Sequence, residues 1–173
     1  KRQALDVYQG KPLVNSVTGE DERLDEILPL VRKYGAAVVG VSNDDKGISQ
    51  DPQVRFEIAK KIVSRASDYG IPPEDILIDP LALTVSADDE AALATLETIR
   101  IVGNNLGVNM TCGARNISFG LPWRPTINAA FLAMAMVTGL QSAITNPLES
   151  EIHRTVLAAD LLLGHDSYSS NLI

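Results

Sequence analysis

The sequence contains little that marks a secreted, membrane or nucleic-acid-binding protein. Its single cysteine, Cys112, cannot form an intramolecular disulfide or supply a metal cluster by itself. The longest apolar stretch, around residues 129–137, is shorter than the roughly 20 residues that span a bilayer, and the N-terminus has no apolar signal core. Fifteen Lys and Arg against 22 Asp and Glu leave a net charge of −7, without a basic cluster among aromatics. We therefore expect a cytoplasmic protein that binds no metal, no membrane and no nucleic acid.

What the chain does contain is a regular alternation of two patterns. Segments with an apolar residue every three or four positions, which are typical of amphipathic helices, separate short β-branched runs. Because strand and helix alternate without a break, we predict an α/β fold with a parallel sheet and right-handed crossovers. The five predicted strands are Pro12–Ser16, Ala36–Ser42, Ile76–Asp79, Val108–Cys112 and Ser142–Asn146.

The predicted helices carry recognisable start and stop signals. Asp51 precedes Pro52, and Ser86 precedes a pair of aspartates, so both are predicted to cap helix N-termini. Glycines stand where the helices are expected to stop, at Gly35, Gly70, Gly107 and Gly139. Two architectures fit this order, an open doubly wound sheet and a closed barrel. The nucleotide-binding Gly-x-Gly-x-x-Gly and Gly-x-x-x-x-Gly-Lys-Ser/Thr loops are missing, which disfavours a nucleotide fold.

Polar side chains gather where the predicted strands end, which is where parallel α/β folds place their sites. Asn15, Asp79, Asn116 and Asn146 lie at or beyond these ends. Asn and Asp are also common in turns and caps, so any one of them is as well explained by local structure. Together they favour a pocket for a neutral, flat heterocycle. A carboxylate such as Asp79 accepts two parallel hydrogen bonds from an N–H and an exocyclic amine, the edge that a pterin or guanine presents.

One segment carries a specific resemblance. Residues 112–124, with the sequence CGARNISFGLPWR, resemble a motif of the pterin-binding methyltransferases that move a methyl group between a tetrahydrofolate and a corrinoid protein. The resemblance continues through Ile127–Asn128 to Asn146–Pro147, and upstream Val14–Ser16 and Ile78–Pro80 are similar to that family's strand ends. The superfamily includes the folate-binding domain of cobalamin-dependent methionine synthase and dihydropteroate synthase.

The resemblance implies a (β/α)8 TIM barrel. The five strands match the fourth to eighth of that barrel, so residues 1–173 are expected to be the C-terminal part of a single pterin-binding domain, supplying about the last five βα units. The first three units are then expected to lie outside this sequence. The family also implies a homodimer.

For function, the resemblance implies an enzyme of the EC 2.1.1 class. The expected reaction moves a methyl group between N5 of tetrahydrofolate or 5-methyltetrahydrofolate and a cobalamin carried by a corrinoid partner protein. Asn116 and Asp79 are the implied catalytic residues, with Asn116 stabilising N5 by hydrogen bonding as its bond to the methyl group breaks. The implied pterin-binding residues are Asn15, Asp79, Gly113, Arg115, Asn116 and Phe119.

Some alternatives stay open at this point. Arg115 stands where the family usually has Ser; it either contacts the pterin, its glutamate tail or a phosphate of the partner, or points into solvent. Trp123 either covers the pterin, meets the corrin or packs within its loop. A dihydropteroate synthase is the enzymatic alternative, although no basic loop is evident for its pyrophosphate leaving group. A non-catalytic pterin-binding subunit is a further alternative.

Overall fold

The computed structural model describes residues 2–171, in which helices and parallel strands alternate. A short helix α1 precedes the first strand, and each strand is followed by a longer helix. In chain order the elements are α1 (Arg2–Val7), β1 (Leu13–Val17), α2 (Asp21–Tyr34), β2 (Ala37–Val41), α3 (Pro52–Asp68), β3 (Ile76–Asp79), α4 (Ala91–Asn105), β4 (Asn109–Cys112), α5 (Arg124–Val137), β5 (Ser142–Ala143) and α6 (Ser150–Leu162). The α/β class and the five predicted strands are confirmed.

The strand order distinguishes between the two architectures that the sequence left open. The sheet runs β1-β2-β3-β4-β5 in chain order, and every neighbouring pair is parallel. Each crossover therefore steps in the same direction, so right-handed connections place all the helices on one face of the sheet. The contacts agree, because each helix from α2 to α5 packs against the next one along the chain. A doubly wound sheet would have helices on both faces, whereas this arrangement is that of a β/α barrel.

The main core lies between the sheet and this layer of helices. Ile76 and Ile78 of β3 and Leu24 and Leu28 of α2 are buried. Gly40 of β2 permits close packing, since a Cβ there would lie 2.7 Å from Cγ2 of Ile62 in α3. The other face of the sheet is open at its first strand, where Leu13 is 53% exposed. No helix among residues 2–171 is long and apolar enough to cross a membrane.

The helix signals are mostly confirmed, with one exception. Asp51 caps α3, because its Oδ1 accepts a hydrogen bond from the Gln53 amide at 2.8 Å. Four glycines adopt positive φ where helices end, as predicted: Gly35, Gly70, Gly107 and Gly139. The prediction for Ser86 was wrong, because α4 begins only at Ala91 and the Ser86 hydroxyl instead donates to the carbonyl of Phe119 at 2.9 Å.

The strands at the two ends of the sheet differ from the regular pattern. The fifth strand spans only Ser142–Ala143, shorter than the predicted Ser142–Asn146, and among the described strands it pairs with β4 alone. In β1 the register shifts between Asn15 and Val17, and the Asn15–Ser16 peptide bond is cis. Both irregularities lie at the carboxyl ends of their strands.

Candidate active site

Two of the predicted site residues share the face of the sheet that the helices leave uncovered. Asn15 of β1 pairs with Val39 of β2, and Asp79 of β3 pairs with Val41 of β2. Since Val39 and Val41 are two residues apart on one strand, Asn15 and Asp79 point to the same side. They are two strands apart, or about 10 Å across the sheet, with Asp79 nearer its carboxyl edge. In a barrel this face is the interior, and this edge is the mouth.

Asp79 presents one engaged and one open carboxylate oxygen. Its Oδ1 accepts a hydrogen bond from the Leu81 amide at 2.9 Å, and none of the described residues donates to Oδ2. Burial raises the pKa of the Asp79 carboxyl, while the Leu81 hydrogen bond and the positive charge of Arg55 oppose that rise. The open oxygen is thus available to a ligand.

Asn116 lies on a short 3₁₀ helix, Ala114–Ser118, that follows β4 directly. Its exposed side chain lies over the backbone of Gly113, where an added Cβ would stand 2.9 Å from the Asn116 Nδ2 atom. The side-chain amide makes no hydrogen bond to any of residues 2–171. Gly113 therefore leaves space for an amide that is free to bind a ligand.

A buried network attaches this 3₁₀ helix to α5. Ser118 donates to Oδ1 of Asn128 at 2.6 Å, and both residues are buried. The Arg124 guanidinium donates from Nε to the Ser118 hydroxyl at 3.1 Å and from Nη2 to the Arg115 carbonyl at 3.0 Å. It also lies 5.7 Å from the centre of the Phe119 ring. These contacts hold both ends of the segment that carries Asn116.

The loops after β3 and β4 are joined to each other. The Val85 amide donates to the carbonyl of Ile117 at 3.0 Å. The hydroxyls of Thr84 and Ser86 both donate to the carbonyl of Phe119, at 2.6 and 2.9 Å. The segment that follows Asp79 is thereby tied to the segment that carries Asn116, so that the two predicted catalytic residues lie on connected loops at one edge of the sheet.

The donors and acceptors at this edge match one class of ligand. Asp79 offers a carboxylate oxygen, and the amides of Asn15 and Asn116 each offer a donor and an acceptor. Among residues 2–171, no group of three or more His, Cys, Asp or Glu side chains is arranged to hold a metal ion. Such a set suits an uncharged heterocycle with several N–H and carbonyl groups along its edge.

Comparison with known proteins gives this reading a family. The sequence profile of the family described as "Pterin binding enzyme" matches residues 1–146. The chain belongs to the pterin-binding enzymes. That family has the TIM-barrel fold, which agrees with the sequential parallel sheet and its single layer of helices.

Two curated relatives make the family membership more specific. Over 159 residues the chain is 33% identical to the methylcorrinoid:tetrahydrofolate methyltransferase of Eubacterium limosum, which is 89% of this chain and 58% of that protein. Over 155 residues it is 33% identical to the methionine synthase of Mycobacterium tuberculosis, which is 82% of this chain and 13% of that protein. The chain thus spans little more than half of the first relative and a small part of the second.

The remaining predicted residues of this pterin-binding enzyme fall into two groups. Arg115 and Phe119 are exposed, and the Arg115 side chain contacts no other described residue through a hydrogen bond or ion pair. Trp123 is 81% exposed, so the expectation that it packs within its loop is wrong. Cys112, by contrast, is a buried strand thiol as expected, and burial next to Asp79 raises its pKa to about 12.

Sequence reasoning missed the most deeply buried charged residue near the site, Arg55 of α3. Its side chain is fully buried and donates to the backbone carbonyls of Pro80 and Leu81, immediately after Asp79. A signal was present in the sequence. Arg55 stands at helical spacing with Ile58 and Ile62, both on the buried face of α3.

Proposed function

We propose that this protein is a methyltransferase that moves a methyl group between N5 of a tetrahydrofolate and the cobalt of a cobalamin carried by a corrinoid partner protein. The observation that carries the proposal is the pairing of an open Asp79 oxygen with the free Asn116 amide on connected loops at the mouth of the sheet. The identity to a relative named for this reaction supports it.

In this proposal Asp79 recognises the pterin edge. Its Oδ2 accepts from a ring N–H or the exocyclic amine, which makes a charge-assisted pair that a neutral side chain cannot equal. Asn15 contacts the pterin from the neighbouring part of the same face, and Gly113 allows the ligand and Asn116 to lie close to the backbone. Phe119 offers an exposed ring for stacking, and Arg115 an exposed cation for the acidic tail.

Asn116 acts on the reacting nitrogen. As the bond between N5 and the methyl carbon breaks, its electron pair stays on N5, and the methyl carbon bonds to the reduced cobalt, which supplies the new electron pair. A tertiary amine leaves poorly without hydrogen bonding or protonation. The Asn116 Nδ2 group donates to N5 as its electron density rises, while the proton comes from water, because an amide is not an acid at neutral pH.

A spectroscopic assay with the full-length protein tests this function. Mixed with 5-methyltetrahydrofolate and reduced cobalamin, it is expected to produce the absorption spectrum of methylcobalamin. Asn116→Ala should slow this reaction about 100- to 1,000-fold, the usual effect of deleting a donor at a developing charge. Asn105→Ala, which removes an exposed amide from α4, is the matched control and should react at the normal rate.

Two other results would contradict the proposal. Absence of both pterin binding and methyl transfer would remove it altogether. Incorporation of labelled aminobenzoate into a pterin would identify a dihydropteroate synthase instead, and pterin binding without transfer to any corrinoid would identify a binding subunit.

A further inference from the structure

Arg55 is a charged side chain that is fully buried without a carboxylate partner. Its guanidinium donates to four acceptors: the carbonyls of Ser49 at 2.6 Å, Pro80 at 3.0 Å and Leu81 at 2.9 Å, and Oε1 of Gln50 at 3.3 Å. None of these acceptors is ionised. Burying a charge without a paired counter-charge is costly, so its presence here calls for a compensating role.

Two of those acceptors determine the shape of the loop that follows Asp79. The Leu81 carbonyl accepts from Arg55 and also from the hydroxyl of Thr95 at 2.9 Å, and Leu81 itself adopts a positive φ of 64°. In this conformation the Leu81 amide points back to Oδ1 of Asp79. The guanidinium thus fixes the peptide unit that fixes one carboxylate oxygen and leaves the other open.

The charge of Arg55 acts on the same carboxylate. Arg55 and Asp79 attract each other electrostatically, and Asp88, in the loop before α4, is the other acidic group that acts on Arg55. Cys112 of β4 is the remaining titratable group that interacts with Asp79, and its thiol stays neutral because burial raises its pKa to about 12. Burial raises the pKa of Asp79, and Arg55 supplies the cation that opposes that rise.

We propose that Arg55 is the positioning residue of the pterin carboxylate: it orients Asp79 through the Pro80 and Leu81 carbonyls and holds it in the ionised form that a pterin edge requires. The pterin as ligand rests on the proposed function. The effect on Asp79 itself does not, because it belongs to the ligand-free protein. The two can therefore be tested separately.

The test compares three variants of the full-length protein. Arg55→Met removes the charge and the donors, and Arg55→Lys keeps the charge but cannot reach both carbonyls with a planar fork. Arg65→Met is the matched control on the same helix, because Arg65 pairs only with surface carboxylates of α2. Carboxyl-carbon NMR of the ligand-free proteins follows the titration of Asp79, assigned by its absence in Asp79→Asn, and calorimetry measures binding of 5-methyltetrahydrofolate.

We expect Arg55→Met to raise the midpoint of the Asp79 titration by about one pH unit, the lower end of the effect of a nearby opposite charge. The acid limb of pterin binding should move upward with it. Arg55→Lys should keep the midpoint close to that of the unaltered protein yet bind pterin about tenfold more weakly, because the carboxylate is less well held. Arg65→Met should change neither quantity.

A residue that only supports the fold would give different results. A folded Arg55→Met with an unchanged Asp79 titration overturns the electrostatic part of the proposal, and Arg55→Lys with unaltered pterin affinity overturns the positioning part. Where Arg55→Met does not fold, as judged by circular dichroism, Arg55→Gln replaces it. Absence of pterin binding by the unaltered protein, with the expected NMR shift, would instead count against the proposed function.

Discussion

At the scale of single residues, the candidate site consists of side chains held close to the backbone but left without protein partners. Asp79 keeps one oxygen open, and Asn116 keeps its whole amide free. Each is held by a neighbour: the Leu81 amide fixes the first, and the absence of a side chain at Gly113 makes room for the second. These supports can be altered one at a time.

Gly113→Ala tests the space beneath Asn116. The new Cβ would stand 2.9 Å from Nδ2, so the amide must move away from the position it now holds. We expect the methyl-transfer rate to fall about tenfold or more, since small misplacements of a reacting group are costly. Gly103→Ala is the matched control, because its Cβ meets only the flexible end of Met110, at 3.3 Å. An unaltered rate in Gly113→Ala would contradict the placement of Asn116.

Asp79→Asn tests the cost of keeping a carboxylate in a half-buried position. Because burial raises the pKa of Asp79 in the folded protein, the folded state binds this proton more tightly than the unfolded chain does, and ionisation costs stability as the pH rises. We expect Asp79→Asn to melt at a higher temperature than the unaltered protein near pH 7 and to lose that advantage as the pH falls to about 4. Equal melting temperatures across this range, measured by circular dichroism, would contradict the assignment.

At the scale of elements, the site depends on how one 3₁₀ helix is attached to its surroundings. Ala114–Ser118 is anchored to α5 through Ser118 and Asn128, and to the loop after β3 through the Ile117 and Phe119 carbonyls. A segment of this length has little stability of its own, because it contains few internal hydrogen bonds. Its position, and that of Asn116, is therefore determined by these external contacts.

Ser118→Ala removes the central contact of that attachment. Oδ1 of the buried Asn128 then loses the donor at 2.6 Å, and Arg124 loses one acceptor. An unsatisfied buried polar group costs about 1–3 kcal/mol, so the free energy of unfolding in urea should fall by that amount. Ser64→Ala, an exposed position on α3, should change it by less than about 0.5 kcal/mol. A Ser118→Ala protein as stable as that control would contradict the anchoring role.

At the scale of the whole molecule, the sequence pattern was sufficient for the class and order of the elements. β-Branched runs predicted all five strands, and Asp51 with Pro52 predicted the start of α3, because both signals are local. The choice of barrel over doubly wound sheet was not local. It required either the family resemblance or the strand order, which no single segment encodes.

The parts that the sequence pattern did not predict depend on tertiary contacts. Ser86 resembles a helix cap, yet its hydroxyl bonds the carbonyl of Phe119, which is distant in the chain. Arg55 resembles a solvent-facing residue of an amphipathic helix, yet the carbonyls after β3 bury it. The fifth strand is shorter than its apolar run because only β4 pairs with it among the described strands. The expectation that these are the last five of eight βα units, in a homodimer, stays a prediction.

The central claim is that the carboxyl edge of this sheet binds a pterin through Asp79. Calorimetric titration of the full-length protein and of Asp79→Asn with 5-methyltetrahydrofolate tests it most directly. A hydrogen bond to a charged group contributes about 1.5–3 kcal/mol, so we predict saturable binding by the unaltered protein and an affinity about 10- to 150-fold lower in Asp79→Asn. Equal affinities in the two proteins would contradict the claim, as would absence of binding by the unaltered protein.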